Sequence, residues 1–197
     1  MKNLTFIASA IALTACASSP TTANQNTTAI GWVALKNVDD FTDEKTCKVT
    51  WATTYSKSSY REVFKIYPVI VFSDSEPLKV GVESVSANAS LQIDIPVGNV
   101  QLRIDDLPTH EVKAVDMEVL QASMASGNQA TLMQEQMESI MSPRTVTEGD
   151  DAKAILTEML SGTEIRYRQM TPGNSGKTGV FPLEGLSKKV AECGYPG

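Results

Sequence analysis

The glycine-rich run from Gly173 to Thr178 has the sequence GNSGKT, which is similar in composition to a phosphate-binding loop. A phosphate-binding loop needs a glycine five residues before Gly176, and that position holds Thr171. The loop must also lead into a helix whose N-terminus holds phosphate, and Gly179 and Pro182 disfavour one there. The run therefore predicts a hairpin turn, and we expect no nucleotide ligand.

His110 is the single histidine of the chain, and a serine or cysteine hydrolase normally needs one as its general base. It follows Pro108 and precedes Glu111, which favours a solvated loop position. No GxSxG motif supplies a nucleophile. The sequence therefore favours a protein that is not an enzyme, with a hydrolase acting on peptidoglycan or a peptide as one alternative.

Neighbouring carboxylates occur in pairs at Asp39 and Asp40, at Asp105 and Asp106, and at Asp150 and Asp151. Each pair lies where a turn or a helix start is expected, and carboxylates are ordinary there. None has the spacing of an EF-hand loop. We therefore expect no calcium site and no cofactor.

Three methionines, Met133, Met137 and Met141, recur at intervals of four residues, which places them on one face of a helix. Thioether sulfur suits Cu(I), so a copper carrier is a further alternative function. Methionine also fills irregular cores and lines adaptable protein-binding grooves. The three residues are therefore candidate partner-binding residues if their face is exposed, and core residues if it is buried. No metal site is assigned.

The cysteines are Cys16, Cys47 and Cys193. If Cys16 is lipidated, the other two remain as a single pair that should close in an oxidising compartment. A metal pair or a reactive thiol is the competing interpretation, but neither cysteine has CxxC spacing and His110 lies far from both in sequence. We expect a disulfide that joins the two ends of the fold.

The N-terminus has the layout of an export signal, with Lys2 followed by an apolar stretch over residues 4–13. That stretch is too short to span a bilayer, which takes about 20 apolar residues. It ends in Leu13, Thr14, Ala15 and Cys16, and this LTAC sequence resembles the bacterial lipobox. The resemblance implies a signal peptide over residues 1–15, cleavage before Cys16, and modification of Cys16 by a diacylglycerol and a further acyl chain such as palmitate.

Ala17 follows the predicted lipidated cysteine. In the lipoprotein family an aspartate there retains the protein at the inner membrane, so Ala17 favours the outer membrane, with the domain facing the periplasm or the cell surface. The alternatives are an ordinary secretory signal with a chance cysteine, or a cytoplasmic chain with an apolar start.

Residues 17–29 carry neither charge nor a large apolar side chain, so residues 16–29 are interpreted as a lipidated cysteine with a flexible tether. Such a tether reaches roughly 20 Å. Residues 30–197 are enough for one domain. The formal net charge of −6 argues against nucleic acid and anionic lipid headgroups as ligands.

The first half of this domain alternates as strands do, with turn-forming residues between the segments. Candidate strands are 30–35, 46–53, 62–72, 78–85, 91–95 and 100–104. Helical spacing then predicts helices over 116–124, 129–141 and 150–160, the last capped by Thr147. A strand over 163–170 and a short helix over 183–192 close the chain. This order predicts an α+β fold: an antiparallel, β-rich single domain with a helical middle segment and a short C-terminal helix.

The C-terminal segment ends with the strand EIRYRQM, a glycine-rich turn and VFPLEGLSKKVAEC. With Trp32 and the FTDEKTC turn before Cys47, it loosely resembles invasion-associated locus B-type periplasmic proteins and a family of type VI secretion accessory proteins. The resemblance implies a non-enzymatic periplasmic domain. The resulting hypothesis is a membrane-anchored envelope lipoprotein that acts as a binding or assembly factor through contacts with an envelope protein partner.

Overall fold

A computed structural model of the chain describes residues 30–52, 64–86, 95–114, 138, 141–170 and 176–195. The helices with described bounds are α1, Gly149–Ser161, and α2, Leu186–Glu192. The strands, in chain order, are β1 Gly31–Val38, β2 Lys45–Ala52, β3 Phe64–Ser73, β4 Lys79–Ser86, β5 Val100–Ile104, β6 His110–Val112, β7 Arg144–Glu148, β8 Glu164–Gln169 and β9 Thr178–Pro182.

The strands form two sheets, and every pair of neighbouring strands is antiparallel. The first sheet has the order β1-β2-β3-β4-β7 and the second has the order β6-β5-β8-β9. Consecutive strands β1 to β4 are neighbours, as short connections require. The antiparallel, β-rich architecture predicted from the sequence is therefore confirmed.

Alternation of apolar and polar residues explains why the second sheet has one buried face. Val100, Leu102 and Ile104 of β5 are buried, while the residues between them are only half-buried. In β8, Ile165 and Tyr167 are buried in the same alternating manner. Successive side chains of a strand point to opposite faces, so each of these strands presents one apolar face to the core.

The central strand β3 is buried more completely, because the five consecutive residues from Ile66 to Ile70 are all buried. It lies between β2 and β4 in the first sheet. A strand that is covered on both faces has a continuous apolar run instead of an alternating one. The sequence YPVIV, in which Pro68 stands among apolar residues, fits this position.

Both helices complete the core with a narrow apolar stripe. In α1 the buried residues are Ala152, Ile155, Leu156 and Met159, and the helix packs against β4 and β7. In α2 they are Leu186 and Val190, and the helix packs against β1. These residues join buried side chains of both sheets in one hydrophobic cluster.

The predicted cap of α1 is wrong. Thr147 lies inside β7, where it pairs with Val80 of β4, and Glu148 takes the cap position without a side-chain hydrogen bond. The strand turns directly into the helix at Gly149, whose φ of 67° is left-handed. Glycine adopts that conformation without steric strain, so the backbone makes the turn that a capping side chain was expected to make.

Other elements differ from the sequence-based predictions, either because they were not predicted or because their bounds differ. Strands β6, β7 and β9 were not predicted, and the short C-terminal helix begins at Leu186 because Gly185 holds a left-handed φ of 83° before it. Most of the predicted strand 91–95 and of the helical middle segment lies outside the described residues. Within that middle segment, Glu138 and Met141 are described and both are helical.

A partly buried ion triad connects three strands of the first sheet. The Glu83 carboxylate on β4 accepts hydrogen bonds from Lys48 Nζ of β2 at 2.9 Å and from Arg144 Nη2 of β7 at 2.8 Å. Burial alone would raise the pKa of Glu83, but the hydrogen bonds and charges of Arg144 and Lys48 outweigh it and lower the pKa below its ordinary 4.5. The triad therefore stays charged at neutral pH. It connects β2 and β4, which lie on either side of β3, with the edge strand β7.

Replacing Glu83 by glutamine should lower the free energy of unfolding at pH 7 by about 1–2 kcal/mol, because two cations lose their counter-charge. This expected loss of unfolding free energy is smaller than for a fully buried ion pair, because Lys48 and Arg144 are about one-third exposed. Urea denaturation, followed by circular dichroism, measures the difference. Glu111→Gln is the matched control, since Glu111 is exposed on β6.

The Glu83→Gln variant should also show a smaller change in the free energy of unfolding with pH under acidic conditions. A carboxylate whose native pKa is lowered stabilises the fold fully above its unfolded pKa and loses that contribution as pH falls through the native pKa. For Glu83 this loss begins below about pH 4.5. The parent should therefore lose more stability than Glu83→Gln between pH 5 and pH 3. Parallel profiles for the two proteins would contradict the assignment.

Candidate functional site

The two ends of β1 lie at opposite ends of the first sheet. The chain leads into β1 at Ile30 and Gly31, directly after the predicted tether, and leaves it at Val38. Eight residues of strand span roughly 25 Å. The loop from Asp39 to Glu44 that joins β1 to β2 is therefore far from the predicted tether. We call this loop, with the residues that flank it, the distal end.

The distal loop is held by its own hydrogen bonds. Asp39 Oδ1 accepts the backbone N–H groups of Phe41 and Thr42, both at 2.8 Å. The backbone closes the loop from Asp39 N–H to the Glu44 carbonyl and from Asp43 N–H to the Asp39 carbonyl, both at 2.9 Å. The backbone hydrogen bonds of Phe41, then those of Thr42, lower the pKa of Asp39, so the carboxylate that organises the loop is charged at neutral pH.

Phe41 stands at the tip of this loop and is 98% exposed. Val38, just before the loop, is 51% exposed. Single exposed apolar residues are common on protein surfaces, but this phenylalanine is presented on a hydrogen-bonded loop. The loop and its end also carry the carboxylates of Asp39, Asp40, Asp43 and Glu44. The distal end is thus an apolar tip surrounded by negative charge.

Glu44 fastens the end of the loop to the neighbouring turn between β3 and β4. Its Oε1 accepts a hydrogen bond from Ser73 Oγ at 2.6 Å and another from Ser75 Oγ. These bonds, that of Ser73 first, lower the pKa of Glu44. Two adjacent turns of the first sheet therefore form one connected surface.

The Cys47–Cys193 disulfide lies beside this surface and confirms the predicted pairing. It joins β2 to the C-terminal end of α2, with the two Cα atoms 5.6 Å apart and 146 residues apart in sequence. The rings of Phe72 and Tyr195 meet nearby, with their centroids 5.2 Å apart. The residues around the bond line a pocket of about 370 Å³. The disulfide thus connects the distal end to the C-terminus of the chain.

His110 is not the solvated loop histidine that the sequence suggested. It begins strand β6, its side chain is 26% exposed, and its Nε2 lies 2.7 Å from Glu158 Oε2 on α1. A short strand next to a proline is difficult to predict from sequence. The pair joins the edge of the second sheet to α1.

Two of the acidic pairs contain a carboxylate that stabilises the local backbone or a helix start. Asp105 has a positive φ of 46° and accepts hydrogen bonds from the N–H groups of Thr163 and Glu164 and from Thr163 Oγ1. Asp150 forms an ion pair with Lys153 at 3.0 Å in the first turns of α1. Within the described ranges, no three His, Cys, Asp or Glu side chains are grouped so that they could hold a metal ion.

The predicted methionine face is described only at Met141, whose side chain is 56% exposed. Met133, Met137 and the predicted lipidation site Cys16 lie outside the described residues, so these remain predictions. Strands β8 and β9, before and at the end of the glycine-rich run, are antiparallel neighbours. Residues 173–175 lie outside the described residues, so the hairpin turn itself remains a prediction. At its described end, Gln169 N–H bonds to the Lys177 carbonyl at 2.8 Å.

Comparison of the chain with protein-family models, with curated proteins and with solved structures finds no match. The resemblance of the C-terminal segment to invasion-associated locus B-type proteins therefore remains a prediction. In the part of the chain that the structure describes, no helix is both long enough and apolar enough to cross a bilayer.

Removing the disulfide with the paired substitutions Cys47→Ser and Cys193→Ser should lower the free energy of unfolding by about 2–5 kcal/mol. The physical reason is that the bond closes a very long loop and so restricts the unfolded chain. Urea denaturation of the parent and of the double variant measures the loss. The parent treated with dithiothreitol should match the variant, and a difference below about 1 kcal/mol would contradict a stabilising role.

Proposed function

We propose that this chain is an exported, lipid-anchored envelope protein that acts as a non-catalytic binding or assembly factor, with the distal end as its contact surface. The observation that carries the proposal is the nearly complete exposure of Phe41 on a loop fixed by Asp39. A rigid aromatic side chain loses little conformational entropy on binding, and such residues are frequent anchors of protein interfaces.

Two independent features support export. The LTAC sequence before Ala17 has the order of a lipobox after an apolar stretch, which implies lipidation of Cys16 and an outer-membrane location. The Cys47–Cys193 disulfide suits an oxidising compartment such as the periplasm, because cytosolic thiols are kept reduced. Several acyl chains on one cysteine form a stable membrane anchor, whereas a single chain is marginal.

The placement of the distal end fits a protein that is tethered at one end and binds at the other. The predicted tether joins the domain at Ile30, while Phe41 lies across the length of β1, roughly 25 Å away. A flexible tether of roughly 20 Å lets the domain move relative to the membrane surface. The contact surface is therefore distant from the point of attachment and accessible to a partner in the periplasm or outside the cell.

The chemistry of the distal end indicates what the partner must offer. Phe41 needs an apolar cavity, and Val38 extends the apolar area beside it. The carboxylates of Asp40 and Asp43 lie in the same loop, so lysine or arginine side chains should surround that cavity. An anionic membrane surface would repel this loop. The partner that fits is a protein with a basic rim around an apolar pocket.

Lipidation is tested by mass spectrometry of the mature N-terminus purified from cell envelopes. We expect a chain that begins at Cys16 and carries acyl groups, and we expect Cys16→Ser to release the protein from the membrane fraction. An unmodified N-terminal residue, or a Cys16→Ser protein that still fractionates with membranes, would contradict the anchoring part of the proposal.

The contact surface is tested by chemical crosslinking in intact envelopes, followed by purification of the protein. Replacing Phe41 by serine should lower the affinity for the partner roughly 30-fold and so reduce the amount of crosslinked complex. This is the change expected for an anchor residue that contributes about 2 kcal/mol to binding. Leu107→Ser is the matched control, because Leu107 is also apolar and exposed on a turn, at 42%. Thermal unfolding should show that both variants remain folded.

The same assay separates the distal end from the predicted methionine face. If Phe41→Ser leaves the complex unchanged while Met133→Glu with Met137→Glu abolishes it, the contact lies on the methionine helix instead. If no partner is captured and the purified protein turns over peptidoglycan or a peptide, the binding role is wrong. Stoichiometric Cu(I) binding that depends on those methionines would favour a copper carrier.

A further inference from the structure

Strand β1 forms one edge of the first sheet, because the sheet order places only β2 beside it. The ladder between them pairs each residue from Gly31 to Val38 with a single residue of β2, so β1 is regular and contains no bulge. The strand also contains no proline, and Lys36 is its one charged residue. Bulges, prolines and charged side chains are devices with which proteins prevent edge strands from pairing. Apart from Lys36, β1 therefore has the backbone of an edge that can pair with another strand.

The backbone groups of β1 that point away from β2 are open to a further strand. In an antiparallel pair, half of the N–H and C=O groups of each strand point towards the other strand and half point away. Between Val33 and Val38, the backbone hydrogen bonds among the described residues are those with β2. The edge strand on the other side of this sheet, β7, instead contacts α1 and β6. The edge at β1 is therefore where the first sheet can be extended.

Helix α2 covers one face of β1 and leaves the edge open. The helix is buried through Leu186 and Val190 in the core cluster that includes Trp32 of β1. The disulfide joins the end of the helix to β2, so the helix lies over the sheet face and not along the edge. The last four residues of β1 are all exposed, with Leu35 at 40% and Val38 at 51%. This open part of the edge leads directly into the distal loop.

The side chains along the open edge indicate the chemistry of a strand that would pair there. Leu35 and Val38 lie on opposite faces of the sheet, because side chains alternate along a strand. An added strand gains most if it places one apolar side chain beside each of them. Just beyond Val38, the distal loop carries the carboxylates of Asp39, Asp40 and Asp43. Charge complementarity therefore favours an extended segment that also carries lysine or arginine, and it disfavours a second copy of this acidic chain.

We propose that the open edge of β1 binds an extended, basic segment of the partner protein by strand addition, which lengthens the five-stranded first sheet by one strand. This inference rests on the proposed function, because the segment belongs to the protein that receives Phe41. Main-chain hydrogen bonds to the outward groups of β1 supply affinity, and the side-chain pairs at Leu35 and Val38 supply specificity. Strand addition extends the contact surface from the distal loop along β1.

The test uses a synthetic hexapeptide with blocked ends, in which valines at the second and fifth positions stand among four lysines. Its valines have the spacing of Leu35 and Val38, and its sequence reads the same in both directions. The protein is the mature chain from position 16 with Cys16→Ser, isotope-labelled for NMR. Titration should show saturable one-to-one binding and slower hydrogen exchange of the outward amides between positions 35 and 38. The same peptide N-methylated at every residue cannot donate main-chain hydrogen bonds and should bind roughly tenfold more weakly or worse.

Proline substitutions in β1 separate strand addition from charge attraction. The N–H groups of Lys36 and Asn37 point in opposite directions, one outward and the other towards β2. Proline is tolerated where the N–H points outward, so one of Lys36→Pro and Asn37→Pro should retain the thermal stability of the parent. That stable variant should bind the peptide roughly tenfold more weakly or worse. Lys36→Gln, the matched control for charge, should retain the affinity.

Absence of one-to-one binding, equal affinity for the N-methylated peptide, or unchanged binding by the stable proline variant would overturn strand addition. Failure of the proposed function gives a different result. If the stable proline variant still captures the partner in intact envelopes and Phe41→Ser does not, strand addition is wrong and the distal contact stands. If the peptide binds at β1 while Phe41→Ser captures the partner as the parent does, the distal tip is not the contact surface and strand addition stands.

Discussion

The Cys47–Cys193 disulfide is the constraint on which the rest of the structure depends. The last helix follows the edge strand of the second sheet, and the bond fastens the end of that helix to β2 of the first sheet. The two sheets are thus joined covalently as well as through the hydrophobic core and through the hydrogen bond from Trp32 Nε1 to the Pro182 carbonyl. The same bond places Tyr195 against Phe72 beside the distal loop. Because such a bond suits an oxidising compartment, it also connects the fold to the proposed location of the protein.

The distal end combines an apolar side chain with negative charge. At the distal end, an exposed phenylalanine stands among carboxylates on a hydrogen-bonded loop. An acidic apolar tip suits a basic protein surface. Strand β1 separates this tip from the point where the predicted tether joins the domain.

Local patterns in the sequence predicted the elements that depend on local physics. The alternation in Val100–Ile104 gave that strand with its boundaries, and counting cysteines gave the disulfide. Elements stabilised by distant partners were missed. Strand β7 has the polar sequence RTVTE, and its buried Thr145 is satisfied by the Gly98 carbonyl, which no local pattern reveals. In β9, Gly179 and Pro182 were used only as evidence against a helix, and the strand itself was missed. Gly179 is present because the ring of Tyr167 occupies the space of its side chain. The turn that carries Phe41 was predicted, but its exposure depends on what packs nearby in three dimensions.

The claim that the distal end is the contact surface is tested most directly by placing a photoreactive phenylalanine analogue in the intact protein, in living cells. With the analogue at position 41, we predict one discrete adduct that forms on irradiation and contains a protein with a cluster of basic residues at the crosslinked site. With the analogue at position 107, an apolar turn residue on another part of the surface that is 42% exposed, we predict none. Adducts of the same composition from both positions, or no adduct from position 41 in cells that contain the folded, lipidated protein, would contradict the account.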